Sequence, residues 1–440
     1  MTRNNPTRHR RLLLIGALLL TLGVACASDD TDATTDTVVF ETISDLAPEE
    51  SQGDADASSD AEFSEGWRYQ SPWPGPQEDW PSCPEATLVA DKTLAEKAAY
   101  YDWLVPAIHQ VPADTPGHEA YSRVFAVNCD AEVPTAIVPD ADLPFCTQRL
   151  SENSGLWTSL YVASQAFRYA ASEGDEKAAA LAQLRRTFTG TYQQLLITGK
   201  SGLYARDFRD PRLPEQYCIE DEEPYASADD DNSRYQRYVP PDEQMHGNAF
   251  VMVDDDGCFK TWDPTEDGGA GGWVKDAEHC TDARFAGFCW QRNGSKDELA
   301  GHMFAAGIIA RLVDDAEIQA MAVDILGQVG RHLVAHDFWI NDYDGRNTRY
   351  GSSNALSFDE MPGSNAIGAL AWIKQAASAT GDPELYAVYD DCLLQLSGEQ
   401  ACIDQPFETP RDYREYLDNM GLALGCKSNY DTVSIAALNV

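Results

Sequence analysis

Positive charge is scarce in this sequence: 32 Lys and Arg stand against 72 Asp and Glu, a formal net charge of −40. A phosphate backbone or an anionic lipid surface needs a basic footprint, so nucleic acid is not an expected partner, and neither is direct electrostatic membrane binding. Phosphate-cradling glycine loops, a dinucleotide fingerprint, a nucleophile elbow and the H-E-x-x-H zinc motif are all missing. Nucleotide-dependent chemistry and those hydrolytic devices fall away with them. No C-x-x-C occurs, and the scattered cysteines do not match zinc-ligand spacing. Beyond residue 25 no run is apolar enough to span a bilayer.

What the chain does have begins at its first residues. Arg3, Arg8, Arg10 and Arg11 precede the short apolar run from Leu12 to Ala25, the layout of an export signal. The run closes on Leu22-Gly23-Val24-Ala25-Cys26, which resembles the lipobox of bacterial lipoproteins, with Gly23 departing from the usual Leu. The expectation is a signal peptide over 1–25, a lipidated Cys26, and attachment to the bacterial cell envelope through that lipid only. Cleavage near Ala25 or Ala27 with a free Cys26 is the alternative. From Ala27 to Glu65 there are thirteen acidic residues and no Lys or Arg, so residues 26–66 read as a self-repelling, disordered tether.

Setting Cys26 aside leaves ten of the eleven cysteines. An even number in an exported chain points to disulfides, with Cys129–Cys146, Cys280–Cys289 and Cys392–Cys402 as plausible short-range pairs.

Residues 67–440 form the folded part, led in by the Trp- and Pro-rich stretch 66–81. Its apolar periodicity predicts helices over Leu94–Ile108, Gly155–Ala171, Glu176–Ile197, Ser295–Val313, Ala316–His336, Ser364–Ala379 and Pro383–Leu396. From Gly155 onward, helices apolar nearly all round alternate with amphipathic ones, a repeated inner–outer hairpin. The final stretch, Ser428–Val440, looks like the start of another inner helix. An insertion over 208–292, rich in Asp, Gly, Pro and aromatics, interrupts the array as a disulfide-stapled excursion with room for short strands.

The stretch Trp290-Gln291-Arg292-Asn293-Gly294-Ser295-Lys296-Asp297-Glu298, followed by Gly301-His302-Met303-Phe304, resembles a pattern of bacterial six-hairpin glycosidase-like proteins. Asp342-Tyr343-Asp344-Gly345 with Thr348-Arg349-Tyr350-Gly351 resembles the segment that follows it in that family. The resemblance spans roughly 152–440. It implies a mainly all-α fold, an (α/α)6-type toroid, with activities that are mostly glycoside hydrolysis and some polysaccharide elimination. Asn293 stands where the family pattern has Asp, and the hairpins counted here stop short of six, which leaves either an incomplete ring or a fragment of a longer sequence as the expectation.

On that resemblance Asp297 and Glu298 are the candidate acid and base, and His302, one turn on, the candidate proton relay. Ser295-x-x-Glu298 is equally a capping box, and Asp297 suits a helix N-terminus without any catalysis. Arg206 and Arg349 could clamp a substrate carboxylate, or could be neutralised by Asp207 and Asp342 nearby. Trp290 is the foremost aromatic for stacking on a sugar ring, ahead of Trp262, Trp273 and Trp339; core packing is the other reading. Asp342, Asp344 and Asn347 look like the opening of a calcium loop that lacks its closing Glu, or like an Asp-capped turn. Asp254-Asp255-Asp256-Gly257 and Asp229-Asp230-Asp231 pose the same choice. The functional expectation is hydrolysis of a polysaccharide or oligosaccharide with no cofactor, calcium being the open alternative. Elimination by a lyase and non-catalytic binding of glycan or another envelope component are the competing functions.

Overall fold

Several of the helices start at a capping side chain. Thr93 caps α1 (Leu94–Leu104) in a reciprocal box with Glu96. A π-turn, Val105–His109, extends α1. Helix α2 (Ser154–Ala171) is buried on most sides, as its run of Leu156, Val162, Ala163 and Ala166 requires. Helix α3 (Gly174–Leu196) returns along it with Leu184, Phe188 and Leu195 turned inward. Ser295 caps α4 (Lys296–Leu312), and Asp315 caps α5 (Ala316–Ala335) by accepting from Ile318 N. Helix α6 (Pro362–Thr380) follows, then α7 (Pro383–Ala387), with Pro in its first turn and a π-turn, Val388–Leu393, behind it.

The computed structural model describes residues 92–149, 153–213, 218, 249–263, 265–269, 271–355, 362–396, 412–417 and 438–439. The expected signal peptide, Cys26, the expected acidic tether and the Trp-rich lead-in lie outside these residues, as do Asp229–Asp231 and 428–437 of the last expected helix. Among the described residues no helix is long and apolar enough to cross a membrane.

Helix α4 lies against α2, α6 against α4 and α5, and α3 against α2. Glycines make the closest approaches. A Cβ on Gly301 would stand 2.9 Å from Leu156 Cα, and one on Gly330 would stand 2.6 Å from the Cβ of Ala376. One large apolar core runs through these helices and on into the sheet.

That sheet overturns the expected mainly all-α toroid. Strands β3 (Asp207–Arg209), β4 (Phe250–Val253), β5 (Cys258–Asp263), β6 (Gly272–Cys280) and β7 (Cys289–Gln291) form one antiparallel sheet in the order β3-β7-β4-β5-β6. Two hairpins add β1 (Ala126–Cys129) with β2 (Cys146–Arg149), and β8 (Trp339–Asn341) with β9 (Asn347–Ser352). The chain is therefore mixed: 52% helix and 15% strand among the described residues. The physical reason lies at the ends of the 208–292 insertion. They pair as Asp207↔Gln291, Phe208↔Trp290 and Arg209↔Cys289, and Phe208, Val251, Val253, Phe259 and Trp290 feed the helical core. The insertion is part of the core rather than an excursion over it.

Disulfides are present. Cys129–Cys146 joins register partners of the first hairpin, as expected. Cys280 pairs instead with its register partner Cys258, and Cys289 with Cys218, which corrects the expected Cys280–Cys289 bond. Cys392 is also disulfide-bonded, while its expected partner Cys402 lies outside the described residues.

Candidate functional site

The segment Asn293–His302 enters α4 from β7, and Asn293, Ser295, Glu298 and His302 are turned into the protein. Ser295 Oγ accepts from Glu298 N, and Glu298 Oε2 accepts from Ser295 N and Ser295 Oγ at 3.3 Å each. Glu298 is 2% exposed. Its Oε2 lies 3.7 Å from Arg206 Nε, yet burial outweighs that attraction and pushes the carboxyl well above its usual range. His302 is fully buried, and burial pushes its imidazole down to about 3. Its ring stacks on Tyr204 at 3.8 Å, and Nδ1 lies 3.1 Å from Ser159 Oγ.

Glu298 Oε1 and His302 Nε2 have no hydrogen-bond partner among the described residues. Both face the Cα of Gly155: a Cβ there would stand 2.7 Å from Nε2 and 3.3 Å from Oε1. A carboxyl that burial biases toward its protonated form thus sits beside an imidazole that burial biases toward its neutral form, under α2 and sheltered from solvent.

Asn293 is the hub of the approach to α4. It holds φ of +66°, a left-handed conformation that Asn tolerates better than most residues. Its N–H donates to Asp342 Oδ2, its Oδ1 accepts from Arg349 N, and its carbonyl accepts from Arg206 Nη1. Thr348 Oγ1 ties the next carbonyl, that of Gly294. Asn293 therefore supplies a tolerated left-handed backbone conformation and a neutral acceptor at a crowded joint.

The remaining candidates divide by exposure. Trp290 is fully buried, edge-on to Phe259 and Tyr343 at 5.6 Å each. Asp207 is fully buried, pairs with Arg123 and accepts from Phe208 N. Asp342 is fully buried, accepting from Tyr343 N as well as from Asn293. Arg206 and Arg349 come together over the ring of Tyr350, at 5.6 and 5.4 Å from its centroid. Arg349 and Asp297 are only partly buried, and Asp297 adds to the field that keeps the Glu298 proton in place.

Of the acidic loops, Asp344 accepts from Arg346 N and binds its guanidinium, while Asp254 accepts from Asp256 N and Cys258 N and pairs with Lys275. Among the described residues no group of three His, Cys, Asp or Glu is arranged to hold a metal ion. Sequence reasoning missed Gly155, Ser159 and Tyr204 around His302. It also missed a second polar cluster, His118, Asp210 and Arg212. Only the turn-prone Asp210-Pro211-Arg212 offered a signal there.

Family models, curated proteins and solved structures give no match to this chain.

Proposed function

We propose that this chain is an exported, envelope-attached protein that binds glycan or another envelope component without turning it over, anchored through Cys26 and the acidic segment behind it. One observation carries the non-catalytic part: Glu298 and Trp290 are 2% and 0% exposed, so neither presents a face to a sugar. Glu298 is occupied as a helix cap, and Asp207 and Asp342 as acceptors for backbone N–H groups. The export signal and the disulfides support the extracellular setting. The glycan part rests on the family resemblance of Trp290–Phe304 alone.

A second reading, glycoside hydrolysis, draws on one feature. A carboxyl whose proton is held more tightly than usual, as burial holds that of Glu298, is what a general acid needs, with Asp297 as the neighbouring carboxylate. One experiment separates the two. The full chain and Asp297→Asn are incubated with a panel of envelope and storage polysaccharides, scoring co-sedimentation, new reducing ends and unsaturated-sugar absorbance. The expected result is retention on at least one glycan with no new ends. Reducing ends that vanish in Asp297→Asn would establish hydrolysis instead, and unsaturated-sugar absorbance a lyase. Retention on none would reject the glycan part.

A further inference from the structure

The β5–β6 hairpin carries an aromatic pair that the helical core does not use. Phe259 is 1% exposed and turns into that core, so alternation along β5 sends Lys260 and Trp262 to the opposite face. Their register partners on β6 are Lys275 and Trp273. Two tryptophans and two lysines therefore share one side of two neighbouring strands. The indole rings lie 5.7 Å apart at 69°, an edge-to-face contact. Both rings are half-buried, and neither belongs to the large apolar core or to the residues packed against it. Among the described residues β6 is an edge of its sheet, so no further strand flanks the pair on that side.

The hairpin holds the pair in place at both ends. Cys258–Cys280 staples one end. At the other, Gly271 has φ of +84°, and a Cβ there would stand 2.3 Å from Trp262 Cζ2, so glycine lets the connecting loop lie against the ring. Lys275 is tied to Asp254 and Asp256 at 2.7 and 3.0 Å. Lys260, half-buried two residues from Trp262 on the same face, adds an ammonium with three N–H donors. These features select a ligand class. A pyranose has an apolar C–H face that stacks on an indole and a rim of hydroxyls that accept from an ammonium. Asp254, Asp256, Asp263 and Glu266 stand at the two ends of the hairpin, on a chain of net charge −40, so an anionic ligand is repelled. The two lysines within the face disfavour a cationic one.

We propose that the Trp262–Trp273 face is a binding platform for a neutral hexopyranose glycan, stacked on the indoles with its hydroxyls accepting from Lys260. The proposal rests on the glycan reading above and gives it a site that buried Trp290 does not.

Isothermal titration of the full chain with cellohexaose, maltohexaose and oligogalacturonate tests it. The expected result is saturable binding of at least one neutral hexasaccharide and none of oligogalacturonate. Trp273→Ala should weaken that binding by about tenfold or more, and Trp273→Phe by less. Val274→Ala, on the opposite face of the same strand, should leave it unchanged. Should Trp273→Ala loosen the hairpin, Lys260→Met keeps both rings and the disulfide and should still weaken binding several-fold. Equal binding by wild type and Trp273→Ala would overturn the platform and keep the glycan reading, as would a loss in Val274→Ala matching that in Trp273→Ala. Binding of oligogalacturonate alone would overturn the neutral class and the platform with it. Binding of none of the three would overturn the platform, and the glycan reading falls with it only if the polysaccharide panel is also left unbound.

Discussion

Replacing Glu298 by Gln separates an architectural carboxyl from a catalytic one. The side chain caps α4 through Oε2 and is buried beside Arg206, His302 and Gly155. Gln can serve the same capping box, because one amide oxygen suffices to accept from Ser295. Ala cannot: it loses a cap of about 0.5–2 kcal/mol and leaves buried partners unmatched at about 1–3 kcal/mol more. Glu298→Ala should therefore cost roughly 1.5–5 kcal/mol. For Gln the sign depends on pH. The folded carboxyl binds its proton more tightly than the unfolded one, whose reference value is 4.5. Stability from this group is thus fully present below that value and is lost as pH rises through the folded one. Gln escapes that loss. Urea unfolding should show Glu298→Gln at least as stable as wild type at pH 7, with the advantage shrinking toward pH 4.5. If Glu298→Gln is as damaging as Glu298→Ala at pH 7, the carboxylate is charged and paired with Arg206, and the neutral-acid reasoning fails.

Three other perturbations probe the same architecture. Gly301→Ala puts a methyl 2.9 Å from Leu156 Cα, and overpacking of about 1–3 kcal/mol should exceed the helix-propensity gain of about 1 kcal/mol; a raised melting temperature would show that α2 can retreat. His302, held at about 3 when folded against 6.5 when unfolded, makes unfolding take up a proton, so stability falls as pH drops from 6.5 toward 3. His302→Gln should flatten that fall by about 1.4 kcal/mol per pH unit, and an unchanged slope would show that the imidazole is charged in the fold. Cys258→Ser with Cys280→Ser opens a 22-residue separation, which should cost about 3 kcal/mol in denaturant unfolding; no loss would mean that β5 and β6 need no staple.

Local periodicity made the helices legible, and long-range pairing hid the sheet. The run from Leu156 to Phe167 carries enough turns to announce a buried helix, and Ser295 with Glu298 marks the start of α4 within four residues. Strands β3 and β7 are three residues each and meet only after an intervening segment of some eighty residues, too short for a period-2 signal. The same nonlocality misdirected the cysteines. Proximity in sequence succeeded at Cys129–Cys146 because a hairpin joins them, and it failed at Cys280 and Cys289 because β6 is an edge strand while β7 lies on the far side of β4 and β5.

The candidate site follows the same logic. Residue types at Trp290, Asp342 and Glu298 suit sugar chemistry, but chemistry needs exposure, and exposure is set by which strands flank a residue. Trp290 lies on β7, between β3 and β4, with the helical core against it, so the sheet order buries it. His118 and Asp210 show the converse. They are separated by 92 residues, neither lies in a recognisable motif, and the fold alone makes them a dyad. Asn293 bridges the two cases: the Asn-Gly dipeptide announces a turn, while its bonds to Arg206, Asp342 and Arg349 arise because β3, β7 and the β8–β9 hairpin converge on that turn. A carboxylate at that position would add negative charge directly beside buried Asp342 and lose the neutral amide, so Asn suits this joint better than Asp would.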